Sequence, residues 1–296
     1  MTDSNIFDVV TPTGDIAADS RLLAEIRTFL TRHEAINTIQ LAGFCARDSF
    51  DPAQIVLVVR NAGGIVACAS QGGPFNMLVS PVEDLGASDA LVEYIVAHDL
   101  VVPGVMAESS VSLAVANRWA ERTGGSYAPG MTQRILATSA ITPPAEVAGS
   151  ARHIDATDSP LLAEWFADFV VDIGEEPAES AADHGRGMAD RIVSGLGPGH
   201  GGLIWLDDSG EPVSVACYKS RTPTGIRVGP VYTPPEHRRR GYAGAVTAAV
   251  SQVMLDRGRA FVCLYTDAAN PTSNHVYESI GYEWVADSMQ YRFTPQ

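Results

Sequence analysis

Residues 226–245, IRVGPVYTPPEHRRRGYAGA, constrain this chain more than any other stretch. An apolar run that ends at a Pro-Pro pair reads as a strand over 225–233, and the apolar spacing beyond it predicts a helix over 239–257. The inward stripe of that helix is Val246, Val250, Val253 and the aliphatic stem of Arg257. A strand, a turn and a helix N-terminus in this order present free backbone N–H groups and the positive end of a helix dipole. Arg238, Arg239 and Arg240 add charge, and the small residues Gly241, Ala243 and Gly244 let an anion come close. The combination suits a pyrophosphate. An arginine triplet alone reads as a solvated face or a nucleic-acid patch; the strand–turn–helix context and the glycine spacing favour the cradle. No Gly-Lys-Ser/Thr follows, which excludes a Walker A loop, and arginines stand where a Rossmann fingerprint needs its tight glycine turn.

Around this stretch the chain reads as two halves with one order of elements. A Pro pair among small residues at 138–152 marks the boundary, giving domains of 1–149 and 150–296. In the first half, helical patterns at 22–30 and 36–46 precede strands at 54–60 and 64–70, joined by the hairpin signal Asn61-Ala62-Gly63. A strand at 75–79, a helix at 88–98, an apolar run at 100–106, a helix at 109–122 and a strand at 131–137 follow. The second half repeats the order: a short strand at His153, helices at 160–171 and 181–194, and strands at 202–207 and 212–219 around Asp208-Ser209-Gly210. After the 226–245 stretch come an apolar strand at 260–266, a helix at 271–280, and a closing strand with Met289, Tyr291 and Phe293 on one face. The fold class is α/β, two similar domains, each a mixed sheet flanked by helices.

Composition removes several classes of function. With a formal net charge of −15 and a pI near 4.7, the chain is a poor partner for nucleic acid, whose phosphates need a basic face, and better suited to a cationic substrate. No run approaches the ~20 apolar residues of a membrane span, and the N-terminus lacks the basic and apolar regions of a secretory signal. Cys45, Cys68, Cys217 and Cys263 stand singly, with no CxxC and no His pair at metal spacing. The expectation is a cytoplasmic protein with reduced thiols, no structural metal and no membrane partner.

Arg238-Arg239-Arg240-Gly241-Tyr242-Ala243 resembles the cofactor motif Gln/Arg-x-x-Gly-x-Gly/Ala of the GNAT superfamily of acyl-CoA-dependent N-acetyltransferases. A second element, Asn270-Pro271-Thr272-Ser273-Asn274-His275-Val276-Tyr277 followed by Glu278-Ser279-Ile280-Gly281-Tyr282, is similar to that family's Asn-x-x-Ala/Ser-x-x-x-Tyr-x-x-x-Gly-Phe/Tyr pattern. Together they cover the last ~70 residues closely, and the element order extends the likeness to about His153. The resemblance implies acetyl-CoA as co-substrate, with Arg238 through Gly244 and Ala245 around the pyrophosphate. Val231 and Thr233 would bind the acetyl carbonyl and pantetheine arm through their backbone, with Tyr232 pointing to the opposite face. Asn270 would hydrogen-bond the cofactor, Ser273 or Asn274 would assist, and Tyr277 would protonate the departing thiolate. The first half departs from the pattern: Ser80-Pro81-Val82-Glu83-Asp84-Leu85-Gly86 has no arginine and carries two carboxylates that repel a pyrophosphate. It reads as a degenerate GNAT-like domain, and tandem arrangements of this kind occur in the superfamily.

The acceptor side is less defined. Asp172, Glu175 and Glu176, near the end of the first helix of the second half, are the candidates for holding a cationic acceptor. Asp168, Glu236 and Asp267 are the other possible bases, and a plain acidic surface loop remains the alternative. The Gly-rich segment GLGPGHGG at 195–202 reads as a flexible connector, and Trp165 and Phe166 either line a pocket or pack a core. The expected function is transfer of an acetyl group from acetyl-CoA to a small primary amine by direct attack. The competing readings are an acyl-CoA-binding sensor and a peptide or protein acetyltransferase, and the oligomeric state stays open.

Overall fold

The computed structural model describes residues 7–174 and 177–296. In chain order the elements are β1 (Asp8–Val10), α1 (Ile16–Thr31), α2 (Thr38–Cys45), β2 (Ile55–Asn61), β3 (Gly64–Gln71), β4 (Met77–Val79), α3 (Gly86–Ala97), β5 (Gly104–Glu108), α4 (Ser109–Thr123) and β6 (Ser126–Thr138). They continue with β7 (Ser150–His153), α5 (Ser159–Asp172), α6 (Ala178–Ser194), β8 (Gly201–Leu206), β9 (Pro212–Lys219), β10 (Gly225–Tyr232), α7 (Tyr242–Asp256), β11 (Phe261–Asp267), α8 (Pro271–Ser279) and β12 (Glu283–Thr294). The repeated order expected from the sequence is present, with β1 as an added strand. No helix of the described residues is long and apolar enough to cross a membrane.

Two compact units result, and their division differs from the boundary at 149/150. Among the described residues, one unit comprises 7–135, 266–269 and 285–296; the other comprises 136–174, 177–265 and 270–284. The C-terminal strand therefore belongs with the first half of the chain. Its reason is pairing: β12 runs antiparallel to β5 from Ser288↔Glu108 to Arg292↔Gly104. Phe293 then stacks on Trp119, with ring centroids 4.3 Å apart, and Tyr291 meets Tyr127 edge to face.

Unit 1 has the strand order β1-β2-β3-β4-β5-β12-β6, parallel between β4 and β5 and antiparallel between its other registered neighbours. Unit 2 has the order β7-β8-β9-β10-β11, parallel only between β10 and β11. Each is a mixed sheet with a core on both faces. In unit 2, Leu162, Trp165, Phe166, Ala189 and Ile192 of α5 and α6 cover one face. Val246, Val250 and Met254 of α7, with Ile280 and Tyr282 beyond α8, cover the other. Trp165 and Phe166 are thus core residues, 6% and 0% exposed.

Local signals set the elements that frame the site. A capping box starts the chain into α5: Asp155 accepts the Thr157 N–H, and Asp158 accepts the Asp155 N–H at 2.9 Å. Arg152 grips Asp158 with two bonds of 2.8 and 2.7 Å. The helix expected from Arg239 begins at Tyr242 instead, because Arg239 (φ 63°) and Gly241 (φ 82°) take the left-handed conformation. The arginines therefore lie in the loop. The GLGPGHGG segment is an ordered turn rather than a flexible connector. Gly197 donates to the His200 carbonyl at 2.8 Å, and Tyr218 donates its hydroxyl proton to the Gly197 carbonyl at 3.0 Å.

Candidate functional site

A notch opens in the sheet of unit 2. β10 pairs with β11 only at Gly225↔Phe261, Ile226↔Val262 and Arg227↔Cys263. Beyond Arg227 the two strands part, and the β9–β10 register shifts between Val228 and Val231. Backbone groups on that side of β10 are left without a ladder partner among the described residues. Side chains alternate here: Val231 packs with the α7 cluster and Tyr232 with the α5–α6 cluster. Ser214, on β9, was invisible from sequence; its hydroxyl donates to the Tyr232 carbonyl at 3.0 Å, leaving the Thr233 hydroxyl to donate to it at 2.7 Å. That pair fixes the end of β10.

From Thr233 the chain makes a single 3-10 turn, Pro235–His237, and enters the arginine loop. Among the described residues the backbone N–H groups of Arg239, Arg240, Gly241, Tyr242, Ala243 and Gly244 have no acceptor, and the first bond of the helix is Ala245 N–H to the Gly241 carbonyl at 3.0 Å. Arg239 and Arg240 are exposed and form no ion pair among the described residues. An unsatisfied row of N–H groups beside two free guanidinium groups and a helix N-terminus fits a pyrophosphate.

The glycines serve this arrangement differently from the expectation of close approach. Gly241 supplies a positive φ, and a Cβ there would come within 2.9 Å of the Val147 Cγ2. Gly244 is buried, where a Cβ would reach Val276 at 3.6 Å and Ile280 at 3.9 Å, so it lets α7 and α8 pack. Tyr242 and Ala245 are buried as well, 8% and 4% exposed, and Ala243 is half-buried.

The corresponding helix of unit 1, α3, has no such row among the described residues. Where α3 begins, Asp84 accepts the Gly86 N–H with its own carboxylate at 2.9 Å, and its carbonyl accepts the Ala87 N–H. Leu85 accepts from Ser88 at 2.9 Å, so the first donors of the helix are already used. Inside, the Gln40 amide spans β3 and β4, donating toward the Cys68 carbonyl, the Ser70 hydroxyl and the Leu78 carbonyl at 3.1–3.3 Å. A buried glutamine thus occupies the space between α2 and the sheet.

The second motif surrounds α8. Asn270 is its N-cap, accepting the Ser273 N–H at 3.1 Å, and Asn274 is buried, 7% exposed. Tyr277 packs against the α7 cluster with its ring 6.2 Å from that of Tyr282, and its hydroxyl has no hydrogen-bond partner among the described residues. Burial pushes the Tyr277 phenol up to about 12.

Of the residues expected to hold an acceptor, Asp172 is not free: Arg238 donates to its carboxylate. Asp168 accepts the Tyr232 hydroxyl at 3.4 Å, and burial, followed by the charges of Asp168 and Asp172, pushes the Tyr232 phenol up to about 12. Glu175 and Glu176 lie outside the described residues. Glu236 is exposed, and Asp267 accepts the Ala269 N–H at 2.9 Å. No group of three side chains suited to a metal occurs among the described residues.

The family model described as FR47-like protein matches residues 210–292, the stretch from β9 to β12. Among solved structures, a Drosophila protein aligns with 97% of this chain and 98% of its own at 14% identity and a TM-score of 0.62. A GCN5-related N-acetyltransferase from Sphaerobacter thermophilus aligns over 97% and 95% at 18% identity and a TM-score of 0.58. A tandem GNAT protein from the clavulanic acid biosynthesis pathway aligns over 98% of each chain at 12% identity and a TM-score of 0.57. No curated protein matches. The likeness runs the length of the chain and establishes a tandem GNAT fold.

Proposed function

From a chain with the tandem GNAT fold, we propose an N-acetyltransferase in which unit 2 alone binds acetyl-CoA and transfers its acetyl group to a small primary amine. The observation that carries this reading is the conjunction of the parted β10 and β11 strands with the six unsatisfied N–H groups at Arg239–Gly244. Those N–H groups, Arg239 and Arg240 would hold the pyrophosphate. The unpaired backbone near Val231 and Thr233 would hold the pantetheine arm and the acetyl oxygen, where fixed N–H donors stabilise the developing oxyanion. Asn270, Ser273 and Asn274, at the start of α8, would assist in holding the cofactor; the Asn270 oxygen caps that helix and its amide is left to donate. Three buried cysteines that form no disulfide among the described residues suit a reducing, cytoplasmic setting.

The chemistry asks little more of the protein. An alkyl ammonium with a pKa of about 10.4 must lose its proton before it attacks, which costs about 4.6 kcal/mol at pH 7. Asp168, exposed on α5, is the carboxylate left to accept it, directly or through water. Attack of the amine on the thioester carbonyl then expels the thiolate. A thiol near 8.5 is a far stronger acid than the Tyr277 phenol at about 12, so Tyr277 serves the thiolate as a hydrogen-bond donor rather than by giving up its proton. Thiol release from acetyl-CoA, measured against amino acids, polyamines, aminoglycosides and peptides, tests the reading. Release with one small-amine class supports it, and release only with peptides favours a protein acetyltransferase. Tight CoA binding with no release points to an acyl-CoA sensor, a reading supported by the engagement of Asp172 with Arg238.

A further inference from the structure

Arg238 opens the loop motif, yet its guanidinium is turned onto the protein. Nε donates to the Thr233 carbonyl at 2.9 Å, Nη2 donates to the Asp172 carboxylate, and the guanidinium carbon lies 5.8 Å from the centroid of the Tyr232 ring. Asp172 is the last residue of α5, where a carboxylate opposes the helix dipole, so the cation offsets an otherwise unfavourable placement. One turn earlier on α5, Asp168 accepts the Tyr232 hydroxyl. The end of β10, the start of the arginine loop and the end of α5 are thereby joined through one side chain. Arg239 and Arg240, by contrast, are exposed and form no ion pair among the described residues.

We propose that Arg238 is a positioning residue and not a phosphate ligand: with Asp172 it forms a latch that holds the N–H row of the arginine loop in register with the end of β10 and against the acceptor-side helix α5. The inference rests on the function proposed above. A phosphate oxygen would have to compete with the Thr233 carbonyl and the Asp172 carboxylate for N–H groups already in use. The latch needs the guanidinium's shape, since Nε and Nη2 serve two acceptors in different directions, and a lysine ammonium cannot reproduce that fork. Its energetic worth is that of an exposed ion pair, and its consequence is geometric.

Calorimetric titration of CoA into the full chain and into Asp172→Ala, Arg238→Lys and the double variant decides the matter. The latch predicts that Asp172→Ala weakens CoA binding ~2- to 5-fold, although it removes a negative charge near a polyanion. Arg238→Lys weakens it by a similar factor despite keeping the charge, and the double variant is no worse than either. A phosphate-ligand role predicts the opposite: Asp172→Ala frees the guanidinium and tightens CoA, and Arg238→Lys retains most of the affinity. Either of those results overturns the latch. Should Asp172→Ala fail to fold, Asp172→Asn keeps the side-chain size and carries the same expected sign. If the unchanged chain binds no CoA, the proposed function falls and the latch's role in cofactor binding falls with it. If it binds CoA and Asp172→Ala tightens it, the function stands and the latch alone is rejected.

Discussion

Gly241 sits at φ 82° with Val147 where its Cβ would be, so two separate costs meet any substitution there. Gly241→Val adds a β-branched side chain in a left-handed conformation, about 1–2 kcal/mol from the backbone alone, and displaces Val147. The loop's N–H groups then lose their common direction. Calorimetry should show no measurable CoA binding in a variant that still melts cooperatively; unchanged affinity would return Gly241 to an ordinary loop residue. The sequence marked this glycine for its smallness. That its Cβ position faces Val147 was not legible, because the partner lies almost a hundred positions away in an irregular segment. Tyr277 reads the other way: its spacing from Asn270 is explicit in sequence, and its environment is what structure adds. Tyr277→Phe keeps the ring and its packing, so CoA affinity should hold while kcat falls about 10- to 100-fold, the worth of a hydrogen bond to a charged group. With the phenol at about 12, protonated in the free protein at any ordinary pH, no limb of the pH–rate profile between 5 and 10 should vanish in the variant. A missing limb would mean that Tyr277 titrates during turnover.

At the scale of elements, the two units place alike strands, turns and helices in the same order and finish their helix starts differently. α7 leaves its first donors open, whereas α3 has Asp84 and Leu85 closing them. One CoA equivalent per chain is therefore expected, and a second equivalent in the titration would show that the Asp84 cap opens. The acidic pair before α3 was legible in sequence; that one carboxylate closes the helix end itself required geometry, because an Asp two residues before a glycine can equally face solvent. The same holds for the GLGPGHGG turn, whose glycines suggested looseness. Gly195 has no room for a Cβ, which would come 2.4 Å from the His200 Nδ1, so the turn is packed around that ring. Burial, then the charges of Lys219 and Arg191, hold the His200 pKa below its usual 6.5. The unfolded chain binds a proton at His200 more readily than the folded chain does. The stability it contributes is full above about pH 6.5 and is lost as the pH falls through the lower folded value. Urea midpoints measured between pH 8 and 5 should fall on the acid side, and His200→Gln should flatten that fall. An unchanged slope in the variant would assign the acid sensitivity to other groups.

The whole molecule is assembled by a route that element order alone does not encode. The alternation of Met289, Tyr291 and Phe293 announces a strand, but not which sheet it joins, since any half-buried strand of period two satisfies either half. The deciding partners are Trp119, which stacks on Phe293, and the β5 residues from Gly104 to Glu108, far back in the chain. The compact units thus divide the chain differently from a boundary drawn at 149/150 from composition, the last strand falling in unit 1, whereas the tandem architecture itself was readable from the order of elements. The consequence is measurable because the proposed function gives CoA to unit 2 alone. CoA should raise the unfolding temperature of unit 2 alone, which identifies its transition in a calorimetric scan. Phe293→Ala removes a ring that is 9% exposed and stacked at 4.3 Å, a loss of about 3–5 kcal/mol for a buried phenylalanine. Although Phe293 follows the cofactor motifs in sequence, its loss should lower the transition that CoA does not shift, and CoA affinity should stay within about twofold. If Phe293→Ala instead lowers the CoA-responsive transition, the C-terminal strand stabilises the cofactor unit and the division at 284/285 is wrong.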